Sequence, residues 1–503
     1  MKRTLVIHPF LFALFPLLAV TSSNMREVNI NQAFWPAVIL IGATAVLLPL
    51  LRPVSRNFHK AGAVLSLFWT LFFFFGHVRD LLLEMLPRGT VALPVGLELV
   101  FTAFLLLAWI AARRTSRNCD GLTKFLNIMG AVLVLLPLLN IVRFELKAAR
   151  DRQDVVTERL YDLDTVVSST PETLPDIYCI IMDRYANEHT LKDVFGFDNT
   201  EFLDALRARG FYVASKSIGN YARTHLSLPA TLNLQYINHI TDILRRESYY
   251  RFLREQARDH LVGRFLKSKG YRLYHMGSWW EVAASNPYAD INITRQGMGE
   301  LPGVLWSGTM LYPVLAYLGY GFRNEHRDRV LWKLDRLKQV AREPGPKFVF
   351  AIFVLPHQPY VFNRDGSYPD RFQLNRQTTA ESYVNQLVFT NTHILALVDT
   401  ILAVSKTPSI IVLQSDEGPR ANDCFEPRDE LTNTRARFRV LNALCLPGVD
   451  SSWFYSSMSP VNTWRLIFDR YFGTRFGLLE DRSFEMDYRN WKFHELTDKS
   501  RID

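Results

Sequence analysis

The chain falls into two parts that differ in their pattern of apolar and polar residues. Five long apolar segments lie in the first third, at about 4–22, 35–51, 61–78, 92–112 and 125–143. Each is close to the ~20 residues that a helix needs to cross the hydrocarbon core of a bilayer. Because so many apolar stretches in a short length are hard to place in water, the pattern predicts a multi-pass α-helical membrane domain.

From Pro175 onward, apolar runs of strand length alternate with helical patterns. The predicted strands cover 176–182, 271–276, 347–355 and 409–414, and the predicted helices cover 200–209, 249–269 and 380–404. Strands that are separated by helices favour βαβ units. We therefore predict an α/β domain with a mostly parallel central sheet flanked by helices.

The stretch between these parts is charged and helix-prone at first and then rich in turn residues at 168–175. Such a change of composition is typical of a domain boundary. The predicted organisation is a five-helix transmembrane domain at 1–143, a helical linker at 144–174 and a large α/β domain at 175–503.

Basic residues are concentrated in alternate loops of the membrane part. Lys2 and Arg3 precede the first segment, and the second and fourth segments are followed by Arg52, Arg56, Lys60, Arg113, Arg114, Arg117 and Lys124. The loops after the first and third segments contain fewer, namely Arg26, Arg79 and Arg88. The positive-inside rule places the amino terminus in the cytoplasm, and five crossings then deliver the α/β domain to the other side. If residues 1–22 are instead a cleaved signal peptide, the α/β domain is still outside.

Composition excludes some functions. Part of the net charge of +9 is topological signal at the membrane, and no basic helix with interleaved aromatic residues is present, so no nucleic-acid partner is predicted. The four cysteines form no CxxC pair, which indicates neither a zinc ribbon nor a dithiol redox site. Cys424 and Cys445 are either paired outside the cytosol or two free thiols.

Two of the predicted strands end at acidic residues. The run 176–182 is followed by Asp183, and the run 409–414 is followed after one serine by Asp416 and Glu417. The carboxyl ends of parallel strands are where an open α/β sheet forms its site. Carboxylate oxygens suit Mg²⁺, Mn²⁺ or Ca²⁺ and also bind Zn²⁺, so the pattern predicts one divalent metal ion.

Between these acids lies a polar segment that contains the hydroxyl of Thr224. A threonine is unreactive at neutral pH unless a base or a bound metal favours its alkoxide. His225 is a poor base candidate, because neighbouring side chains in an extended segment point apart. A metal held by Asp183, Asp416 and Glu417 would activate Thr224 better.

Four segments, taken in order, resemble the alkaline phosphatase and sulfatase superfamily. They are the strand ending in Asp183, then Thr224-x-x-Ser227-x-Pro229, then Leu355-Pro-His357-Gln-Pro-Tyr360, and then Gln414-Ser-Asp416-Glu417-Gly418. The membrane branch of that superfamily looks most similar: lipoteichoic acid synthases and phosphoethanolamine transferases, which also place five membrane helices ahead of an extracytoplasmic catalytic domain.

The resemblance implies roles for individual residues. Asp183 and Asp416 would be metal ligands, Thr224 both a ligand and the covalent nucleophile, and His357 a contact to the phosphoryl oxygens or the leaving group. The family usually has histidine where this chain has Glu417. A glutamate there either binds a divalent cation, with a shift toward harder metals, or marks a retuned or inactive site.

The same resemblance implies the chemistry. Sulfatases of the family have Cys or Ser at the nucleophile position, within Cys/Ser-x-Pro-x-Arg, whereas Thr-x-x-Ser-x-Pro is the pattern of the phospho-group transferases. The implied enzyme resides in a bacterial-type plasma (inner) membrane. It takes a group from a lipid-linked phosphodiester donor through a phosphothreonine and passes it to an envelope acceptor or to water. A sulfatase and an inactive relative that serves as a binding partner in envelope biogenesis are the alternatives.

Two arginines flank the predicted ligands. Arg184 follows Asp183 directly, and Arg223 precedes Thr224. Either both clamp a substrate phosphate or they form ordinary exposed ion pairs.

Overall fold

The computed structural model describes residues 4–25, 30–85, 92–116, 119–150, 163, 166–243, 246–278, 281–295, 297, 299–317, 320–369 and 371–497. The chain forms two compact units. The first combines Met1–Arg150 with Gly297–Phe322, and the second combines Asp151–Gln296 with Arg323–Asp503. The sequence pattern did not indicate that 297–322 groups with the amino-terminal helices. Of the predicted linker at 144–174, residues 151–162 and 164–165 lie outside the described residues, and 144–150 are helical.

The first unit confirms the predicted set of five apolar helices. They are α1 (His8–Ser23), α2 (Phe34–Ser55), α3 (Phe58–Glu84), α4 (Ala92–Arg114) and α5 (Asp120–Arg150), with a 3-10 turn at Ile30–Ala33 before α2. Four of them, α2 to α5, are long and apolar enough to cross a membrane, and α1 is a shorter apolar helix. The unit also contains α13 (Glu300–Ser307) and α14 (Leu311–Tyr317).

The outer surface of these helices is apolar. Leu99 and Leu107 on α4 and Ile128 on α5 are each more than 60% exposed. Large apolar side chains face outward in this way when the surrounding solvent is lipid. Among the basic residues that predict orientation, Lys2, Arg3, Arg26, Arg88 and Arg117 lie outside the described residues, and the orientation itself stays a prediction.

The second unit is built on a seven-stranded sheet. Its strands are β1 (Ile177–Met182), β2 (Tyr212–Val213), β3 (Arg272–Met276), β4 (Ile291–Asn292), β5 (Lys347–Phe353), β6 (Ile410–Gln414) and β7 (Asn442–Cys445). Their order is β2-β7-β6-β1-β5-β3-β4. The strands β6, β1, β5, β3 and β4 pair in parallel, whereas β7 pairs antiparallel with both of its neighbours, β6 and β2. This pairing confirms a mostly parallel sheet.

Helices cover both faces of this sheet. The helices of this unit are α6 (Glu188–Phe195), α7 (Thr200–Arg207), α8 (Thr224–Leu232), α9 (Ile240–Ile243), α10 (Arg246–Arg258), α11 (Leu261–Ser268), α12 (Glu281–Ala284), α15 (Phe322–Ala341), α16 (Arg371–Arg376), α17 (Thr379–Val404), α18 (Glu430–Phe438) and α19 (Pro460–Phe472). A hairpin of β8 (Phe484–Asp487) and β9 (Lys492–Glu495) follows.

The central strand β1 shows how the layers form. Successive side chains of a strand point to opposite faces. Tyr178, Ile180 and Met182 pack in one core cluster with residues of α15 and α17. Ile177, Cys179 and Ile181 pack in the other with residues of α8, α11 and α19. A strand buried on both faces therefore reads as a continuous apolar run.

Two expectations from the sequence are corrected or resolved. The helix predicted at 249–269 is two helices, α10 and α11, because the ring of His260 accepts the backbone N–H of Gly263 at 2.8 Å and starts a new helix. Cys424 and Cys445 are both buried free thiols. The helix predicted at 380–404 is present as α17, and although its length and composition would suit a membrane, its buried side chains pack in the core of the second unit.

Candidate active site

Three predicted site residues follow three adjacent strands of the sheet. Asp183 comes after β1, Asp416 after β6 and His357 after β5, and β1 pairs with both neighbours. The backbone N–H of Asp183 donates to the carbonyl of Phe353 at 2.9 Å, and the N–H of His357 donates to the carbonyl of Asp183 at 3.3 Å. The three side chains therefore start from the same edge of the sheet, as predicted for an α/β site.

The turn after β6 fixes the backbone that bears Asp416 and Glu417. The hydroxyl of Ser415 donates to the carbonyl of Glu417 at 2.7 Å and accepts the N–H of Tyr185 at 2.9 Å. A Cβ on Gly418 would lie 1.9 Å from the carbonyl oxygen of Ala436. Only glycine fits there, so a glycine directly after Glu417 is required for this close approach.

Thr224 is the first residue of α8 and is 9% exposed. The amino terminus of a helix carries partial positive charge and unpaired N–H groups, which favour an anion beside it. Ser227 supports the turn, because its hydroxyl donates to the carbonyl of Tyr221 at 2.7 Å. The predicted nucleophile thus lies where a phosphate group would be stabilised.

Asp183 and Asp416 form a pair of buried carboxylates that is uncompensated in the sense that neither makes an ion pair with a described cation. No described residue gives a hydrogen bond of ordinary geometry to Oδ1 of Asp183 or to either carboxylate oxygen of Asp416. Burial and then the charge of Glu417 raise the pKa of Asp183 to about 7, although the more distant charges of Arg184 and Arg420 oppose this shift. Burial, followed by repulsion from Asp183 and Glu417, raises the pKa of Asp416 well above its usual value, and the hydroxyl of Thr224 lowers it in part.

Glu417 is buried in the same place but has cationic partners. Its Oε1 lies 3.4 Å from Nε of Arg184 and 2.8 Å from Nη2 of Arg420, and that same Nη2 lies 2.5 Å from its Oε2. Arg184 also pairs with Asp423 at 2.9 Å and has a left-handed backbone, with φ of 63°. A non-glycine residue in that region is strained, and such strain is concentrated at functional sites.

The other predicted residues near Thr224 have different surroundings. The guanidinium of Arg223 lies over the ring of Tyr488 at 5.4 Å. Nε2 of His225 is 3.2 Å from the hydroxyl of Tyr488, so its ring is directed to that residue. Burial, with the nearby charges of Arg223 and Arg420, lowers the pKa of His225 to about 3.

His357 is oriented by its own loop. Its Nδ1 lies 2.5 Å from the carbonyl oxygen of Gln358, and because that oxygen can only accept, Nδ1 bears the proton. The other nitrogen, Nε2, is then the acceptor. Burial and the charge of Arg184 lower the pKa of His357 to about 4, which keeps the ring neutral at pH 7.

Two buried polar residues of α15, His326 and Lys333, were not indicated by the sequence, and His326 is close enough to His357 for their charges to interact. Lys333 on α15 donates to the carbonyls of Gly277 and Ile352, the latter at 2.6 Å, and so links the ends of β3 and β5. Burial, with Arg329 nearby, lowers the pKa of Lys333 to about 7. His326, two helical turns before Lys333 on the same face of α15, is also buried, and burial with Arg329 and His357 nearby lowers its pKa to about 3. Lys333 therefore joins the end of β3 to β5, the strand that precedes His357.

The donor set fits a divalent cation held by two carboxylates and a hydroxyl. The oxygens of Asp183 and Asp416 that no described donor satisfies are hard ligands suited to such a cation, and the hydroxyl of Thr224 adjoins Asp416. Among the described residues, no group of three His, Cys, Asp or Glu side chains is arranged as a metal site, and Glu417 is engaged by its two arginines. Its role as a ligand stays a prediction.

Arg420 is the residue that the sequence analysis missed. It lies three positions after Glu417 and also approaches the carbonyl of Ala222 at 3.4 Å, next to Arg223. A cation spaced three residues from a buried acid was the available signal. The turn after β6 has no helical periodicity, so this spacing does not by itself predict an ion pair.

A family model covers much of the second unit. A family model described as Sulfatase matches residues 179–441, just over half of the chain. A search of curated proteins gives no match.

Several solved structures are similar at low identity. The zinc complex of the periplasmic domain of EptC from Escherichia coli is 14% identical, with a TM-score of 0.46 over 67% of this chain and 98% of that one. The lipooligosaccharide phosphoethanolamine transferase EptA from Neisseria meningitidis is 12% identical, with a TM-score of 0.39 over 92% and 95%. The phosphonate monoester hydrolase of Agrobacterium radiobacter is 12% identical, with a TM-score of 0.40 over 62% and 81%.

Proposed function

This chain belongs to the sulfatase family, and we propose that it is a membrane-bound, metal-dependent phosphotransferase or phosphodiesterase that acts on cell-envelope lipids or glycans. The observation that carries this proposal is the hydroxyl of Thr224 at the start of α8, beside the uncompensated carboxylates of Asp183 and Asp416. A buried negative site next to a weak nucleophile is what a cation-activated hydroxyl requires.

In the first half of the reaction, Oγ of Thr224 attacks the phosphorus of a phosphodiester donor. A bond forms between Oγ and phosphorus, the bond from phosphorus to the leaving oxygen breaks, and the hydroxyl proton of Thr224 ends on that leaving oxygen. The amino terminus of α8 and the guanidinium of Arg223 bind the phosphoryl oxygens, which bear the developing charge.

In the second half, an acceptor hydroxyl or a water attacks the phosphothreonine. Nε2 of His357, which is the acceptor nitrogen of its ring, takes the proton of the attacking hydroxyl. A bond forms between the attacking oxygen and phosphorus, the bond between Oγ1 of Thr224 and phosphorus breaks, and the proton taken up by Nε2 of His357 passes to that threonine oxygen. Transfer to an envelope acceptor and hydrolysis differ only in which hydroxyl attacks.

A divalent ion bound by Asp183, Asp416 and Thr224 would supply charge that favours the threonine alkoxide and the phosphoryl oxygens. Arg184 and Arg420 hold Glu417 at the side of this group. The oxygen donors are compatible with Mg²⁺, Mn²⁺, Ca²⁺ or Zn²⁺.

The apolar helices of the first unit support a location in a bacterial-type inner membrane. With five crossings and basic residues concentrated in the even loops, the α/β unit is proposed to be extracytoplasmic. Lipid donors and envelope acceptors are available to a domain on that side.

Two alternatives remain testable. A sulfatase would use the same fold on sulfate esters, and it is disfavoured by a threonine in place of the Cys or Ser of that chemistry. An inactive relative would retain the Arg184–Glu417–Arg420 cluster as structure and bind partners in envelope biogenesis.

The test is metal analysis of the purified full chain, together with phosphopeptide mapping after incubation with envelope lipids. We expect about one divalent ion per chain and a phosphoryl adduct on the peptide that contains Thr224. Thr224→Val should abolish the adduct and reduce turnover by about a thousandfold, since the nucleophile is lost.

Thr231→Val is the matched control, because Thr231 is a buried threonine of the same helix. It should retain both the adduct and most of the turnover. Absence of both metal and adduct in the parent would contradict the proposal, and turnover only after Glu417→His would favour the inactive relative.

A further inference from the structure

The first unit contains an apolar cavity of about 330 Å³. Its walls include Phe15 and Ala19 of α1, Phe73 and His77 of α3, and Val304 and Leu305 of α13. The size falls within the range of small-molecule pockets, which are concave and mostly apolar. The cavity is therefore a candidate site for an apolar ligand.

The wall formed by residues 300–310 is fixed by backbone hydrogen bonds to α3. The N–H of Gly76 donates to the carbonyl of Gly308 at 2.8 Å, and the N–H of Met310 donates to the carbonyl of Phe72 at 3.0 Å. In a regular α-helix the N–H of Gly76 would donate to the carbonyl of Phe72. Here both of these backbone groups also bond to the segment 300–310. The cavity wall is thus part of the helix packing.

Close packing reinforces this attachment. A Cβ on Gly76 would lie 2.5 Å from the Cα of Gly308, so only glycine allows the approach. Leu301 is 1% exposed and belongs to the same core cluster as Trp69 and Phe72.

A cation stands beside the apolar lining. Arg79, two residues after His77, donates to the carbonyl of Ser307 at 3.3 Å and lies over the ring of Tyr312 at 5.7 Å. It also pairs with the exposed carboxylate of Asp80 at 2.8 Å. Among the described residues that line the cavity, His77 and Thr70 have polar side chains, and the hydroxyl of Thr70 donates to the carbonyl of Ser66 at 2.9 Å.

An apolar cavity next to a guanidinium matches an amphiphile with a long chain and an anionic group. Most of the lining residues of α1 and α3, namely Pro16, Ala19, Val20, Phe73, Phe74 and His77, come from the carboxyl-terminal halves of those helices. In the proposed orientation these halves lie in the outer leaflet, where phospholipid chains surround the protein and phosphates lie at its rim.

We propose that this cavity binds one acyl chain of an outer-leaflet phospholipid, with the lipid phosphate against Arg79. The inference that this lipid is also the donor rests on the proposed function. Binding and donor role are separate claims, and the experiment distinguishes them.

The test uses the full chain in nanodiscs of phosphatidylethanolamine and phosphatidylglycerol, doped with a phosphatidylglycerol that carries a diazirine in one acyl chain. After irradiation, the labelled peptides are mapped and competed with unlabelled phospholipid. We expect saturable labelling on peptides of α1, α3 and α13. Ala19→Trp, which fills the cavity, should reduce it by about tenfold.

Val46→Trp is the matched control, because Val46 is 59% exposed on α2 and does not line the cavity. It should leave the labelling unchanged. Val304→Trp is a second filling variant whose site is 52% exposed, so it tolerates a larger side chain and keeps the test valid if Ala19→Trp does not fold.

Arg79→Gln separates the two ends of the ligand. It should weaken competition by phospholipid several-fold and leave competition by uncharged diacylglycerol unchanged. Equal labelling in the filling variants and in Val46→Trp would overturn the proposal, as would labelling confined to other helices.

Turnover then tests the donor role independently. If the lipid is the donor, Ala19→Trp should raise KM for a long-chain phospholipid and spare hydrolysis of the soluble bis(p-nitrophenyl) phosphate. Loss of labelling with unchanged lipid turnover would overturn the donor role alone. Labelling of the cavity in a chain without any turnover would uphold the binding site and contradict the proposed function.

Discussion

The two sides of the acidic cluster are equally buried but differ in their partners. Asp183, Asp416 and Glu417 are 9%, 4% and 2% exposed. Glu417 lies between Arg184 and Arg420, whereas Asp183 and Asp416 form no ion pair with a described cation, and the hydroxyl of Thr224 is the side-chain group that stabilises the charge of Asp416. Burial alone therefore does not single out the acids that we propose as metal ligands. The absence of an ion-pair partner distinguishes them from Glu417.

This difference predicts opposite effects on stability. Removing a charge from an uncompensated pair relieves repulsion and desolvation, so the cation-free protein gains stability. Removing the acid from a compensated pair leaves a buried arginine without its counter-charge, which is costly. Function and stability should thus separate between residues that are neighbours in sequence.

The largest expected effect is on turnover at the uncompensated side. Asp416→Asn should lower turnover by about a thousandfold, because several kcal/mol of charge stabilisation by the cation is lost. The same variant, treated with a chelator, should melt about 2–4 °C higher than the parent. Turnover, metal content and melting temperature are measured on the purified full chain.

Asp423→Asn is the control for this prediction. Asp423 also pairs with Arg184, but its side chain is 38% exposed. It should change turnover by less than about tenfold and leave the metal content intact. Full metal occupancy in Asp416→Asn would show that Asp416 is not a ligand.

The next effect concerns the compensated side. Glu417→Gln should destabilise the protein by about 2 kcal/mol, since Arg184 is buried and Arg420 is only partly exposed. The measurement is the melting temperature with and without chelator. A gain in stability, as expected for Asp416→Asn, would place Glu417 among the uncompensated acids and support its predicted role as a ligand.

Most of the fold could be predicted because long apolar runs are strong local signals. The strands before Asp183 and Asp416 are buried on both faces, so their apolar runs are continuous. The antiparallel strand β7, Asn442–Cys445, is too short for any periodicity, and its identity depends on pairing with β6. The attachment of residues 300–310 to α3 is likewise a tertiary contact with no local pattern.

The candidate site could likewise be predicted only as far as local sequence patterns reach. Asp183, Thr224, His357 and Asp416 follow from motifs at strand ends and a helix start. The partners of Glu417 do not, because Arg184 comes from the turn after β1 and Arg420 from the turn after β6. Only the fold brings the two guanidinium groups together.

The smallest effect tests a third kind of buried group, one that has a partner but no charge. His260 is 2% exposed, accepts the N–H of Gly263 and packs near Phe348 and Phe350. Burial, with His275 and Arg264 nearby, lowers its pKa to about 3. The unfolded chain therefore binds the proton first, and stability is lost as the pH falls from about 6.5 toward 3, by at most about 1.4 kcal/mol per pH unit.

His260→Asn keeps a side-chain acceptor at the start of α11 and removes this titration. Its melting temperature should be slightly lower than that of the parent at pH 7.5, because ring packing is lost, and should fall less steeply down to pH 5. His494→Asn, at a side chain that is 63% exposed, should follow the parent. If the melting temperatures of His260→Asn and the parent changed with pH in parallel, His260 would bind its proton equally well in the folded and unfolded chain. Burial would then affect protonation only at the acids that lack an ion-pair partner, Asp183 and Asp416.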